Sequence, residues 1–140
     1  MFLGDQLITT DAPPRFLSSL NTNLAFCLSN KVFLAYENNK KDINFKNLDE
    51  NFNILKKIKI IKIPMPRPIY INKVRVPASY LNFYIFNKFV LLPTFKDPKD
   101  KIVIKIFKKE FINRKIIPID CSELIWGFGA IHCLTQQEPK

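Results

Sequence analysis

Apolar positions along this chain switch between two periods, and the switches fall in the same order twice. LAFCLS, from Leu24, and KVFLAYE, from Lys31, are short runs rich in strand formers, with Ser29-Asn30 between them as a tight turn. In NFKNLDENFNILKK the apolar residues Leu48, Phe52 and Leu55 step by four and three, the spacing of one helix face. IKIIKI, Ile58 to Ile63, is β-branched and predicts a strand. Pro64, Pro66 and Pro68 end it and force an extended connection.

The second pass begins with SYLNFYIF and KFVLLPTF, two predicted strands around Asn87-Lys88. DPKDKIVIKIFKKEF is ambiguous. Ile102, Ile104 and Ile106 alternate as in a strand, whereas Val103, Ile106 and Phe107 make a helical face. Asp97 as a cap, Pro98 at the first position and Asp100 as a capping-box acid decide for a helix. RKIIPID predicts a strand, Ser122 to Trp126 a turn or short helix, and AIHCLTQ a last strand. The unit strand–strand–helix–strand therefore occurs twice, with Lys31–Asp42 and Lys88–Asp100 in equivalent places. A repeated supersecondary unit points to a stacked or radial α/β architecture. Two copies alone leave strand edges open, which suggests a fragment of something larger, or a partner.

Composition changes this picture little. At 140 residues, 47% apolar and 24% charged, the chain is an ordinary globular domain, and its 13 Phe argue against disorder. The net charge of +10 favours polyanions. Yet the lysines are interspersed with Ile, Asn and Phe, the mixture an AT-rich coding sequence produces, and a solvated lysine surface accounts for them. The opening MFLGDQLITT lacks the basic and apolar regions of a signal peptide, and no apolar stretch approaches the ~18 residues of a membrane span. Cys27, Cys121 and Cys133 are odd in number and without metal-ligand spacing, which points to a reducing cytoplasm and to no metal.

WGFGAIHCLTQQ, Trp126 to Gln137, gathers the single Trp, the single His, Cys133, Gly127 and Gly129. The glycines allow a tight turn and close approach of a ligand. On a strand, however, His132 and Cys133 point to opposite faces, so His132 is a poor base for a Cys133 nucleophile. On pattern alone a buried structural cysteine is the stronger alternative to a reactive one.

Ordered blocks add what spacing cannot. GFGAIHCLTQQEP resembles the C-terminal signature of the agmatine deiminases, of the bacterial-type peptidyl-arginine deiminase family: Gly-Gly-Gly-Asn-Ile-His-Cys, then Thr-Gln-Gln and a proline. IPMPRPIY resembles that family's proline-rich connection. PASYLNFYIFNKFVLLPTFKDPKD resembles its Pro-Ala-Ser-Tyr-x-Asn-Phe block, and IDCSELIWG the stretch before the cysteine loop. KVFLAYENN is similar to a strand further upstream, so the likeness runs from about Asn23 to Pro139. The resemblance implies a pentein-type α/β propeller, of which this chain covers about two modules. It also implies hydrolysis of agmatine to N-carbamoylputrescine and ammonia, a step in putrescine biosynthesis, through a covalent amidino-cysteine and without metal or organic cofactor. Cys133 takes the nucleophile's position. Gly127 and Gly129 take two positions of the substrate-binding glycine loop.

The departures carry equal weight. Phe128 stands for the middle glycine and Ala130 for the asparagine. In residues 1–22, Gly4-Asp5 and Thr10-Asp11 look like remnants of the family's Gly-Asp-x-Thr-Asp lead-in. Pro13, or Leu20 on a gapless alignment, stands where its histidine should follow. The modules expected to supply guanidinium-gripping acids are not in the sequence. The expectation is an irregular segment over 1–22 and the C-terminal part of a deiminase-like domain over 23–140, inactive by itself. Two alternatives are one half of a split enzyme completed by an N-terminal companion chain, and a non-enzymatic basic module. For the latter, Tyr80, Phe83 and Tyr84 would be the aromatic contacts, although no nucleic-acid motif is present.

Overall fold

A computed structural model describes residues 24–27, by their backbone, and 31–136. The expected lead-in remnants before Asn23, the Ser29-Asn30 turn and residues 137–139 of the signature lie outside the described residues. The chain divides into two units, 1–65 and 66–140.

In the first unit β1 (Leu24–Cys27) pairs antiparallel with β2 (Lys31–Tyr36). β2 pairs in parallel with β3 (Lys59–Pro64), Lys31 opposite Lys59 and Tyr36 opposite Pro64. A parallel pair needs a crossover, and α1 (Phe45–Leu55) supplies it. The central strand β2 carries Val32, Phe33, Leu34 and Ala35, all buried, as a strand covered on both faces must. Val32 and Leu34 join Leu55 in the core, against which Phe52, Ile58 and Ile60 pack. The edge strand β3 keeps Lys59 and Lys62 exposed, and Lys62 Nζ lies 4.0 Å from the centre of the Phe52 ring. The predicted helix face Leu48, Phe52, Leu55 is therefore the packed one.

The second unit repeats the order. β6 (Tyr84–Phe86) pairs antiparallel with β7 (Phe89–Thr94), and β7 in parallel with β8 (Lys115–Asp120). α2 (Lys99–Glu110) is the crossover. Pro93 is tolerated in the central strand because β6 pairs only with residues 89–91 and stops before it. A small hairpin precedes the repeat: β4 (Tyr70–Ile71) and β5 (Val74–Arg75), turned by Asn72 and Lys73, both with positive φ.

Two expected strands are corrected. The segment 79–83, read as the start of a strand, is a turn. The Ser79 hydroxyl and carbonyl accept the N–H groups of Leu81 and Asn82, which are then lost to any ladder. AIHCLTQ is likewise no strand: His132–Leu134 is a 3-10 turn. The N–H groups of Leu134 and Thr135 return to Ile131 and His132 carbonyls, and those of His132 and Cys133 go to Asn82.

The ambiguous DPKD segment resolves as the capping signals predict. Asp97 Oδ1 accepts from Lys99 N–H at 2.8 Å, and Asp100 Oδ2 accepts from Asp97 N–H at 3.0 Å, the reciprocal pair of a capping box. Pro98, already at φ −54°, starts the first turn without a donor to waste. Asp97 Oδ2 also accepts from the backbone N–H and Nε of Arg67, both at 3.0 Å. Asp100 Oδ1 accepts from the Tyr80 hydroxyl at 2.6 Å. Burial, then the Asp100 bond and charge, hold the Tyr80 phenol protonated far above its ordinary range. Beside this network Phe83 meets Phe107 edge to face at 4.9 Å, and Phe107 stacks on Phe111 at 5.6 Å. Among the described residues no helix is long and apolar enough to cross a membrane.

Phe107 is fully buried, so Phe107→Ala should destabilise the protein by about 3–5 kcal/mol in chemical denaturation. For Asp97, burial would raise the carboxyl, but the Lys99 and Arg67 N–H bonds and the Arg67 charge outweigh it and hold it below its ordinary value. Its contribution is thus complete at neutral pH and is lost as pH falls below about 4. Arg67 is 70% exposed, so most of that contribution lies in the backbone bonds and little in the ion pair. Asp97→Ala should cost about 1–3 kcal/mol at pH 7 by denaturant titration. The gap between it and the parent should close as both are titrated below about pH 4.

Candidate active site

The sequence singles out three cysteines, and the structure separates two of them. Cys121 follows β8 and is fully buried. Burial, aided by the Asp120 charge, pushes its thiol up, which leaves it inert. Cys133 is exposed and free. Of Cys27 only the backbone is described.

Cys133 is presented by two tight turns built one after the other. Asp120 Oδ1 accepts from both the N–H (2.9 Å) and hydroxyl (2.6 Å) of Ser122, with Lys96 Nζ 3.2 Å from its other oxygen. The Ser122 bonds above all hold the Asp120 carboxyl below its usual range against the opposing effect of burial, and Lys96 adds a smaller pull in the same direction. This turn leads into the 3-10 segment Leu124–Gly127, anchored by buried Ile125. Phe128 then reverses the chain in the left-handed region, φ 60° and ψ 20°, and its N–H returns to the Ile125 carbonyl. Ala130 and Ile131 are buried and fix the far side of the loop. Trp126, Phe128 and Leu134 are exposed.

The two glycines are not equivalent. Gly129 lies against the cysteine: a Cβ there would come within 3.0 Å of Cys133 Cβ and 3.6 Å of Sγ. At Gly127 a Cβ would meet nothing within 4 Å. Ala130 is buried and has no polar side chain to present.

The partner of Cys133 is a residue that the pattern did not single out. Asn82 Nδ2 donates to Cys133 Sγ at 3.0 Å, and Asn82 Oδ1 accepts from Cys133 N–H at 3.3 Å. The Asn82 carbonyl also accepts from His132 N–H at 3.1 Å. The strand-based objection to His132, that it must face away from Cys133, falls with the strand. What distinguishes the sulfur is contact with Asn82. Asn82 is itself held between two buried anchors, Tyr80 bonded to Asp100 and Phe83 packed on Phe107, so α2 fixes the cysteine's partner at both ends. The signal was present in the sequence as an asparagine among apolar neighbours, in the run YLNF from Tyr80 to Phe83. Burial of Tyr80 and Phe83 also removes two of the three aromatics that a nucleic-acid surface would use for stacking. Among the described residues no group of three or more His, Cys, Asp or Glu is placed to hold a metal ion.

The profile of the Porphyromonas-type peptidyl-arginine deiminases matches residues 19–139. A protein of Legionella pneumophila (strain Paris), provisionally named agmatine deiminase, is 34% identical over 124 residues, 82% of this chain and 36% of its own length. The solved agmatine deiminase of C. jejuni superposes with a TM-score of 0.76 at 29% identity, over 80% of this chain and 36% of that one. A cysteine-to-serine variant of C. jejuni agmatine deiminase with substrate bound gives a TM-score of 0.76 at 28% identity, over 79% and 34%. The chain thus spans 36% of the length of the curated relative. A matching profile over most of the sequence, with the same mixed α/β fold in the solved relatives, places the chain in the Porphyromonas-type peptidyl-arginine deiminase family.

Proposed function

We propose that Cys133 is the nucleophile of a guanidine-hydrolysing site and that its substrate is agmatine. The observation that carries this reading is the exposed Cys133 sulfur, held by Asn82 in the family's signature loop while Cys121 is buried. Sulfur is the right atom for the work. As thiolate it adds to the electrophilic guanidinium carbon, and ammonia leaves with a proton delivered to it. Water then hydrolyses the amidino–sulfur bond, releasing N-carbamoylputrescine and returning the thiol. No electrons are transferred, and no organic cofactor is called for. A cationic substrate beside the sulfur favours its anionic form.

The chemistry also needs a group to move protons and acids to grip the planar guanidinium. The sequence holds one histidine, His132, and no counterpart of the family's Gly-His-x-Asp motif. In our reading this chain supplies the nucleophile loop and two modules of a pentein-type propeller. A companion chain bearing the remaining modules would complete the site, and the 140 residues alone do not turn agmatine over.

The test uses ammonia and N-carbamoylputrescine as readouts. The isolated chain should form neither above the uncatalysed rate. A chimera carrying residues 66–136 in the matching place of the C. jejuni enzyme should hydrolyse agmatine, and Cys133→Ser in that chimera should reduce turnover by roughly 10³-fold or more. Undiminished turnover after Cys133→Ser would remove Cys133 from the mechanism. Brisk turnover by the isolated chain, lost on Cys133→Ser, would keep the nucleophile and overturn the need for a companion.

A further inference from the structure

We infer that Asn82 is a positioning residue for Cys133, aiming a hydrogen-bond donor at the sulfur and fixing the loop that presents it. This rests on the reading of Cys133 as nucleophile, but its geometry stands apart from any substrate. The orientation of the Asn82 amide follows from chemistry. A backbone N–H can only donate, so the oxygen of Asn82 must face Cys133 N–H, and the –NH₂ group must face Sγ. A fixed donor aimed at sulfur favours the anion, which accepts strongly, over the neutral thiol, which accepts weakly.

The same residue holds the loop at three points. Its side-chain oxygen takes Cys133 N–H, its backbone carbonyl takes His132 N–H, and its amide nitrogen reaches the sulfur. The donor is rigid because its own backbone is: Asn82 N–H is bonded to the Ser79 carbonyl, and Tyr80 and Phe83 nearby are buried. Gly129 leaves another flank of the sulfur without a side chain. The arrangement poises a cysteine without calling on the neighbouring His132.

The experiment follows alkylation of Cys133 by iodoacetamide in the full 140-residue chain. Labelling is read at the Cys133 peptide by mass spectrometry across a pH series. Because the reagent is neutral and small, the pH profile reports the thiolate fraction. Asn82→Asp keeps the oxygen that accepts Cys133 N–H, removes the donor and adds a negative charge. It should move the profile to higher pH and slow labelling at neutral pH by about tenfold or more. Asn82→Ala should shift it in the same direction by less, and thermal unfolding identifies a variant that has lost its fold. Should Asn82→Ala fail to fold, Asn82→Asp decides alone. Profiles of folded variants that coincide with the parent's would overturn the inference. No turnover enters this readout, so a chimera still active after Cys133→Ser would remove the deiminase assignment and leave the role of Asn82 standing.

Discussion

The capping box at the start of α2 is the constraint on which the second unit depends. Asp97 and Asp100 stand three residues apart because a helix N-terminus leaves N–H groups without partners and a reciprocal side-chain pair satisfies two of them. Here the same two carboxylates do more than cap. Asp97 reaches back to Arg67, and Asp100 takes the Tyr80 hydroxyl. A local helix signal thereby becomes the joint between the proline-rich segment, the 79–83 turn and the helix. The box stands on the loop after β7, so the strand fixes where the joint lies.

From that joint the cysteine is two steps away. Tyr80 is tethered to the first turn of α2 and Phe83 is packed against its last turn, and the residue between them that faces the cysteine loop is Asn82. The site therefore inherits its precision from a helix that contributes no atom to it. The first unit offers a contrast. Its helix α1 is entered through Asp42, whose Oδ1 accepts from Asn44 N–H at 2.9 Å, but the residue three further on is Phe45, which cannot return the bond, and its Asn51 Nδ2 is buried without a hydrogen-bond partner. The duplicated order of elements is the same in both units. The added polar chemistry is in the one that carries Cys133.

What the sequence made legible was whatever depends on local pattern. The repeated order of strands and crossover helices follows from hydrophobic period, and the ambiguity between the alternation of Ile102, Ile104 and Ile106 and the helix face of Val103 and Phe107 is settled by caps at its edge. Two strands were misplaced for one physical reason. In SYLNF and AIHCL the apolar residues are anchors of turns, and periodicity cannot tell a buried anchor from a buried strand residue. Whether those N–H groups face a neighbouring strand or a Ser79 oxygen and an Asn82 carbonyl depends on the folded chain. Asn82 escaped for the same reason: its partner is 51 residues away. The hairpin at 70–75 escaped because Asn-Lys, unlike Asn-Gly, gives little warning that both residues adopt positive φ.

The departures from the family signature look different in three dimensions. Phe128 replaces a glycine where the backbone is left-handed, so glycine's freedom is used there, and a phenylalanine costs roughly 1–2 kcal/mol of backbone strain. But the residue is 58% exposed. Gly129, retained, is the position where a Cβ would press on Cys133 itself. Of the two glycines in the loop, Gly129 is the one whose replacement would move the sulfur, whereas Gly127 has open space around it. Ala130 is buried where an amide would have needed partners, and the polar contact with the sulfur is made by Asn82. The geometry of Cys133 thus rests on Gly129, which leaves room beside the sulfur, and on Asn82, which holds it.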